Sequence, residues 1–409
     1  MDILDRFLGP YRRRQFARVI AAGLRKAGEP LEFRYDPREF RLVSVGDAGY
    51  LINLGNTYRE YLAVPRSERP MVLSRFLRSW IEGRKGIPED FGDASHDLLP
   101  GVRNRASFEI MKLQSRVDGS AEFDWPYRVV GEHYGAGLVY DLPHAMSQIN
   151  GQQLDRWGVT LEEAMDLAML NLAGLSGQGL QPLAPGVWMS PWRDNYDASR
   201  ILLTDLIGAH DVEGDPVVLI PNRDTLILTG SEDPSGQMVL VAAAAGALER
   251  PRPLHAFPLR LEYGTWTPYL PPEDSPAHRP IQSLILGVMA RDYHDQQELL
   301  QGLYRANGEG ISVASYSALQ DRESGRLASS CLWGRGLDSL LPRTDIVCFA
   351  DASQPDGKTL VASVTWDRMM DIVGDRIEPI DVYPERYRVR SFPDPGEIER
   401  LKAAEFRLS

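Results

Sequence analysis

The strongest constraint on the fold of this chain is a helix start at Thr160. Thr160 and Glu163 stand in the order that forms a capping box: the Thr hydroxyl accepts from the Glu amide, and the Glu carboxylate reaches back to the Thr amide. Apolar residues then recur at helical spacing. The pattern predicts a helix over residues 161–173 with one face in a core. Asn171 is the one polar residue that departs from this apolar pattern.

A β-hairpin is predicted shortly before this helix. Residues 127–134 and 138–142 are short runs rich in Val, Tyr and Leu, and Gly135-Ala136-Gly137 between them has the composition of a three-residue loop. Pro143 cannot donate a backbone hydrogen bond and ends the second strand. Hairpin and helix together predict the scaffold of a larger domain.

Four motifs in the middle third of the chain form one pattern. They are Val139-Tyr140-Asp141-Leu142-Pro143, Trp157-Gly158-Val159-Thr160, an A-x-x-N-L run over residues 168–172 and a strand pair over residues 217–230. In this order they resemble the YtpQ-like family of uncharacterised bacterial proteins. The resemblance implies a bacterial cytosolic setting and no mechanism, and it does not extend to the C-terminal third.

Length and composition predict the domain organisation. A chain of 409 residues with 43% hydrophobic and 25% charged residues is long enough for two domains with separate cores. The proline-rich residues 271–280 are the best linker. We expect an α+β protein, with a mixed, mostly antiparallel sheet covered by helices in a domain over residues 1–270 and a smaller α+β domain over residues 281–409.

Several features favour a cytoplasmic protein. No apolar run approaches the roughly 18 residues that a membrane helix needs. Asp2 and Asp5 occupy the place of the basic region of a signal peptide. Cys331 and Cys348 are the only cysteines, so a reducing compartment fits, and both are predicted to be inert thiols. We expect neither a membrane span nor a disulfide framework.

The net charge of −12 disfavours general nucleic-acid binding, but it is unevenly distributed. Residues 1–85 hold 17 basic and 10 acidic side chains, a net of +7, which leaves −19 for the remainder. Such asymmetry marks a docking face or, as we favour, two parts of one protein that complement each other. No aromatic-interleaved basic motif accompanies it, so nucleic-acid or acidic-partner docking is the weaker alternative.

A first candidate site combines histidine and carboxylate side chains at the hairpin. With a three-residue loop, His133 lies opposite Val139, and alternation along the strand puts Asp141 on the same sheet face. His144 follows the strand end and can turn toward them. Imidazole and carboxylate form an acid/base pair or hold a metal. The spacing matches no metal signature, and structurally bonded histidines are favoured.

A second candidate site is the turn within residues 217–230. Asn222 and Asp224 have a structural reason to be there, because such side chains close turns by bonding backbone amides. Alternatively, Arg223 offers its guanidinium to a carboxylate or phosphate while Asp224 holds it in place. Asn171 is a further candidate ligand contact, although a bond to a neighbouring loop is favoured.

A helix predicted over residues 281–304 carries a polar cluster from Arg291 to Asp295, with Glu298. His294 and Glu298 lie one turn apart, so a solvated face with ion pairing explains the cluster. The sequence contains no G-x-S-x-G, phosphate-binding loop or paired C-x-x-C motif. We therefore predict neither a cofactor nor a metal.

Two main hypotheses for function follow. The favoured one is a cytosolic bacterial protein that acts by binding an unidentified protein partner without catalysis. The alternative is a hydrolase that uses His133, Asp141 and His144, with Arg223 as an anion anchor. Convergence of these four residues in one concave pocket would favour the enzyme.

Overall fold

The structure is a computed structural model that describes residues 3–45, 50–83, 86–119, 123–142, 145–250, 252–321, 325–351 and 359–406. Over these residues the protein is α+β, as the sequence predicts. None of the described helices combines the length and the apolar character needed to cross a membrane.

Twelve α-helices lie in the described part of the chain. They are α1 (Ile3–Lys26), α2 (Gly55–Ala63), α3 (Arg69–Gly83), α4 (Phe91–Ser95), α5 (Arg105–Asp118), α6 (Gly151–Trp157), α7 (Leu161–Gly174), α8 (Thr204–Gly208), α9 (Pro234–Leu248), α10 (His278–Ala306), α11 (Trp366–Val373) and α12 (Pro395–Ala403). Two 3-10 helices, Ala198–Leu202 and Gly374–Arg376, accompany them.

The described strands number 21. They are β1 (Phe33–Asp36), β2 (Arg41–Ser44), β3 (Leu51–Asn53), β4 (Leu98–Asn104), β5 (Tyr127–Val130), β6 (Tyr134–Leu142), β7 (Ala145–Gln148), β8 (Gln181–Ala184), β9 (Val187–Met189), β10 (Pro216–Asn222), β11 (Thr225–Gly230), β12 (Leu259–Glu262), β13 (Thr265–Pro268), β14 (Ser312–Val313), β15 (Ser317–Gln320), β16 (Leu327–Gly334), β17 (Ser339–Pro342), β18 (Ile346–Ala350), β19 (Leu360–Thr365), β20 (Ile377–Ile380) and β21 (Arg386–Val389).

The chain divides into two compact units. Unit 1 contains Met1–Gly101, Gly137–Gly177 and Glu249–Pro253, and unit 2 contains Val102–Ala136, Gln178–Leu248 and Leu254–Ser409. The predicted linker over residues 271–280 therefore lies within unit 2, where Pro271 and Ala277 are buried and α10 begins at His278. The assignment of domains to residues 1–270 and 281–409 stays a prediction.

Unit 1 contains a three-stranded antiparallel sheet in the order β1-β2-β3. Its core joins α1 to this sheet through Phe16, Ala17, Ile20, Leu24, Phe40, Leu42, Ile52 and Leu54. Gly23 permits the close approach of α1 to α3, because a Cβ there would lie 2.6 Å from a methyl carbon of Leu77.

Helix α7 confirms the helix predicted from the capping box. Thr160 Oγ1 accepts from the Glu163 amide at 3.2 Å, and Glu163 Oε2 accepts from the Thr160 amide at 2.8 Å. The buried face consists of Ala164, Met165, Ala168 and Leu172. Local sequence therefore determines both where this helix begins and which side it buries.

The hairpin before α7 exists, but the predicted position of its turn is wrong. The turn lies at residues 131–133, and its first two residues have positive φ angles of 53° and 68°. Residues 135–137 are buried within β6. Gly135 serves packing rather than a turn, because a Cβ there would lie 2.7 Å from ring carbons of both Phe108 and Tyr127.

Strand β4 was not predicted. Every residue of β4 is buried. Its sequence, LLPGVRN, contains Pro and Gly and lacks polar alternation. A strand buried on both faces has no two-residue hydrophobic period, so sequence pattern alone does not reveal it.

Unit 2 contains a six-stranded sheet in the order β13-β12-β10-β11-β9-β8. The predicted hairpin of β10 and β11 is confirmed, with Asn222 paired to Thr225 at its tight end. Helix α9 covers this sheet, and Leu240 and Ala244 pack with Val217 and Leu219 in one core.

Two four-stranded sheets complete unit 2, in the orders β14-β17-β21-β20 and β15-β16-β18-β19. The inner face of the second sheet packs with α11 and α12 through residues that include Trp333, Phe349, Met369 and Leu401. Helix α10 confirms the helix predicted over residues 281–304.

Candidate functional site

His133 lies in the turn between β5 and β6 and is buried in unit 2. Its Nδ1 lies 2.7 Å from the hydroxyl oxygen of Tyr383, and its ring stacks on Phe257 with centroids 3.9 Å apart. Burial, with a smaller contribution from Arg105, lowers the pKa of His133 to about 4. The imidazole is therefore neutral at neutral pH.

His255 and Asp292 form a second buried pair, and His255 interacts electrostatically with His133. His255 Nε2 is 3.2 Å from Asp292 Oδ1. Burial, with Asp295 as a smaller cause, raises the pKa of Asp292 to about 8. Burial followed by Arg291 lowers the pKa of His255 to about 3. Between about pH 3 and about pH 8 the pair of His255 and Asp292 therefore holds one proton, whichever partner carries it.

Backbone hydrogen bonds hold this arrangement in place. The His255 amide donates to Asn104 Oδ1 at 2.7 Å. The Tyr134 hydroxyl donates to the His255 carbonyl and accepts from the Phe257 amide at 3.2 Å. The guanidinium of Arg105 lies 4.3 Å from the ring centroid of Tyr383. We call His133, His255, Asp292 and Tyr383 the histidine cluster.

The histidine cluster keeps two polar atoms unsatisfied. His255 Nδ1 and Asp292 Oδ2 are buried, and neither has a hydrogen-bond partner within the described residues. A carboxyl group that holds an imidazole and leaves its other nitrogen unbonded is the arrangement of an acid/base pair. Chemically, the cluster is able to accept and return a proton.

The remaining members of the first predicted site have other surroundings. Asp141 belongs to unit 1. It lies opposite Met146 across β6 and β7, and its amide donates to the Asp97 carbonyl at 2.8 Å. His144 lies outside the described residues. The predicted register is wrong, because His133 lies in the turn. The catalytic role of His133, Asp141 and His144 stays a prediction.

The turn at residues 222–224 bonds a neighbouring loop of unit 2. Asn222 Oδ1 accepts from the Asp224 amide at 3.0 Å. Asp224 Oδ1 accepts from the Asn195 amide at 2.8 Å, and the Arg223 carbonyl accepts from the Ala198 amide at 3.1 Å. These contacts give the turn a structural role, and ligand binding by the three residues stays a prediction.

Asn171 bonds a loop within unit 1. Its side-chain amide donates to the carbonyls of Ser95 at 2.8 Å and Leu98 at 2.9 Å. These are the contacts of the structural interpretation favoured from sequence. Both amide hydrogens are used, so ligand binding by Asn171, which stays a prediction, would need its oxygen.

No sequence pattern identifies His255 or Tyr383 as site residues. Asp292 was predicted to lie on a solvated helix face, which is wrong because it is 3% exposed. The usable signal was the four-residue spacing from Val288 through Asp292 and Gln296 to Leu300, all of which are buried. His294 and Glu298 do lie exposed, with the ion pair at 3.7 Å.

A hollow of about 420 Å³ in unit 2 is lined by residues of the two four-stranded sheets. Ser312 pairs with Ser339 across β14 and β17, and Ser317 pairs with Ser330 across β15 and β16. Leu332 and Leu337 also line it and are 53% and 49% exposed. We call these four serines and two leucines the serine hollow.

The described residues that line the hollow include serine hydroxyls and no acidic side chain. Within the described residues its four serine hydroxyls have no hydrogen-bond partner. Cys331 also lines the hollow, and burial raises the pKa of its thiol to about 12, so it is neutral. No group of three His, Cys, Asp or Glu residues in the described chain is arranged to hold a metal.

The chain is similar to one curated protein, the UPF0354 protein BH3252 of Halalkalibacterium halodurans, with 30% identity over 145 residues. The similar segment is 34% of this chain and 55% of the relative, so the chain spans about half of that relative. An uncharacterised relative agrees with the predicted resemblance, while the YtpQ-like assignment stays a prediction. No protein-family model and no solved structure match the chain.

Proposed function

We propose that this protein acts by binding, and that the serine hollow is its binding site. The observation that supports it is a hollow lined by two exposed leucines and by four serine hydroxyls that have no hydrogen-bond partner among the described residues. Its volume of about 420 Å³ lies within the range of roughly 300–1,000 Å³ that small-molecule sites occupy. A hollow of this volume fits a small molecule, whereas the sequence favoured a protein partner.

The serine wall supports this proposal through hydrogen bonding. Ser330 and Ser339 are 6% and 2% exposed, and neither hydroxyl oxygen is a fully buried atom without a partner, so both are accessible from the hollow. A ligand in the hollow supplies partners for these hydroxyls. Leu332 and Leu337 provide apolar contact for the rest of the ligand.

The test fills the hollow with a side chain. Ser317 is exposed on β15, so Ser317→Trp places an indole at the hollow with little cost to folding. Ala318→Trp is the matched control, because the next residue on a strand points to the opposite face. Ligand-observed NMR with a fragment mixture is expected to find ligands that lose at least tenfold in affinity only in Ser317→Trp.

Equal binding to both variants and the wild type would contradict the hollow as the site. A screen without any fragment sensitive to Ser317→Trp would contradict the binding function itself. The unfolding midpoint of each variant, measured in urea, separates loss of the site from loss of the fold.

A second candidate function is hydrolysis, and the histidine cluster is the observation that favours it. His255 is held by Asp292 and keeps Nδ1 unbonded within the described residues. In this proposal His133 and His255 exchange protons with the substrate, and Arg223 anchors an anion as predicted from sequence. Asp141 and His144 remain candidates for the same role.

Hydrolysis is tested with ester and phosphate-ester substrates. His255→Gln is expected to lower kcat/KM at least 100-fold because it removes the imidazole of the proposed acid/base pair. His294→Gln, at an exposed histidine, is the control and is expected to keep full activity. Turnover that survives in His255→Gln, or no turnover of any substrate by the wild type, would remove this candidate.

Docking of nucleic acid or an acidic partner through residues 1–85 remains the weakest proposal. Part of that basic charge is already used within unit 1, where Arg41 pairs with Asp36 at 3.2 Å and Arg75 with Glu60 at 2.6 Å. Binding that does not weaken when the salt concentration rises from about 50 mM to about 200 mM would argue against this docking proposal.

A further inference from the structure

Arg386 on β21 is a buried cation with neutral partners. It is 1% exposed. Its Nε donates to Gln296 Oε1 at 2.6 Å, and its Nη2 donates to the Tyr293 carbonyl at 3.2 Å. Its Nη1 donates to the carbonyls of Ala314 at 2.8 Å and Leu340 at 3.2 Å. Every acceptor is an amide or peptide oxygen without formal charge.

Other arginines of unit 2 pair with carboxylates. Arg200, also fully buried, holds both oxygens of Asp194 at 2.9 and 2.8 Å. Arg388, two residues beyond Arg386 on the same strand, holds both oxygens of Asp338 at 3.0 and 2.8 Å. Within the described residues no carboxylate lies at ion-pair distance from Arg386. Its charge is therefore solvated but not neutralised.

The Arg386 charge persists at neutral pH. Burial lowers the pKa of Arg386 to about 10, which still leaves the guanidinium protonated. A buried charge without a counter-ion is costly even when it is hydrogen-bonded. An anion nearby would recover part of that cost.

The serine hollow is the place where such an anion fits. Ala314 lines the hollow and accepts from Arg386, and Leu340, the other acceptor of Nη1, directly follows Ser339 of the serine wall. The nearest acidic residue along β17 is Asp338, and Arg388 occupies both of its oxygens. The hollow thus has a cation behind its wall and hydroxyl donors on its surface.

We propose that the serine hollow binds a small molecule through an oxyanion group, a phosphate or a carboxylate. The serine hydroxyls donate to the oxyanion oxygens, as hydroxyls do in anion sites. Arg386 attracts the negative charge through the wall, and Leu332 and Leu337 contact the rest of the molecule. This inference rests on the proposed function, since it names the ligand chemistry of the same hollow.

The test compares inorganic phosphate and acetate with chloride at equal ionic strength, on the full chain. Calorimetry is expected to detect binding of phosphate or acetate and not of chloride, and the stronger of the two identifies the oxyanion. The double variant Ser317→Ala/Ser330→Ala is expected to weaken this binding at least tenfold. Ser363→Ala is the matched control, because the Ser363 hydroxyl contacts Cys348 Sγ in the same sheet and is not part of the serine wall.

A second variant supplies the anion from the chain itself. Ser317→Asp places a carboxylate at the hollow and is expected to abolish the response to phosphate and acetate. Ala318→Asp places the same charge on the opposite face of β15 and is expected to keep the response. Because both positions are exposed, loss of folding does not explain a difference between them.

The outcomes separate this inference from the binding function. If phosphate and acetate bind no better than chloride while fragments are lost in Ser317→Trp, the oxyanion chemistry is wrong and the binding function stands. If anions bind equally to the wild type, Ser317→Asp and the double alanine variant, they bind elsewhere and the inference fails. If both the anion and fragment experiments fail, the hollow is not a binding site.

Discussion

The histidine cluster and Arg386 are both buried in unit 2, but the fold treats their charges in opposite ways. In the cluster, burial shifts the pKa values of Asp292, His255 and His133 so that three titratable side chains carry no excess charge at neutral pH. Arg386 cannot lose its proton at this pH, so the fold surrounds it with neutral oxygen acceptors instead.

The difference follows from intrinsic proton affinity. Histidine and aspartic acid have ordinary pKa values close enough to neutrality that burial moves them to the neutral form. Arginine has too high a pKa for this, so its charge remains and acts on its surroundings. Buried groups that become neutral suit proton transfer, whereas a buried permanent cation suits anion binding. This is why we propose hydrolysis at the histidine cluster and oxyanion binding at the serine hollow.

Replacement of Arg386 is expected to give the largest effect on stability. Arg386→Met removes the guanidinium donor from four oxygen acceptors, of which the Leu340 carbonyl keeps the Ala314 amide at 3.0 Å. The variant should lower the free energy of unfolding by about 3–5 kcal/mol, because each buried acceptor left without a donor costs about 1–3 kcal/mol. Arg388→Met is the control, because its ion pair with Asp338 is partly exposed and is worth only about 1 kcal/mol. Urea unfolding measures both variants. Equal losses would show that the neutral acceptors contribute no more than a surface ion pair.

The pH dependence of the Asp292 and His255 pair is the next largest effect. Above pH 6.5 the unfolded chain releases the histidine proton, while the folded pair keeps its proton up to about pH 8. Stability is therefore lost as pH rises through this window, by about 2 kcal/mol. Asp292→Asn has no such proton to keep, so its stability should be flat there.

The measurement is the free energy of unfolding of both proteins at pH 6.5, 7.5 and 8.5. A parallel pH dependence in the wild type and Asp292→Asn would show that the pair holds no proton above pH 6.5. The assignment of the cluster as a proton-exchanging site would then lose its support.

The difference in unfolding free energy between His133→Gln and the wild type is expected to change sign with pH. At pH 7 the variant loses about 1 kcal/mol, because it loses the ring contact with Phe257 and the bond to Tyr383. The folded pKa of His133 is lowered to about 4, so its stabilising contribution is lost as pH falls below 6.5. Below roughly pH 5 the variant should therefore be the more stable protein. A constant difference from pH 7 to pH 4.5 would contradict a neutral buried imidazole.

His294→Ala is expected to give the smallest effect. His294 and Glu298 are 3.7 Å apart with side chains that are 65% and 72% exposed, so solvent screens their interaction. The variant should change the free energy of unfolding by less than about 0.5 kcal/mol at pH 6. A larger loss would mean that exposed and buried histidines of this chain do not differ as the comparison requires.

Local patterns predicted much of the fold and one part of the site. The capping box at Thr160 predicted α7, and local sequence patterns also predicted α10 and the hairpin of β10 and β11. His133 was identified as a candidate because histidine and carboxylate residues are close in sequence. Its true neighbours, His255 and Tyr383, are far away in sequence, and no local pattern connects them.

The sequence by itself determined the helix starts, the apolar faces and the α+β class, because these depend on spacing and on capping side chains within a few residues. Only the tertiary structure decided that Gly135 packs against two aromatic rings, that Asp292 is buried and that no described carboxylate pairs with Arg386. The physical reason is that burial of a polar group is a property of its contacts. Those contacts join segments distant along the chain, and their energies are absent from any local pattern.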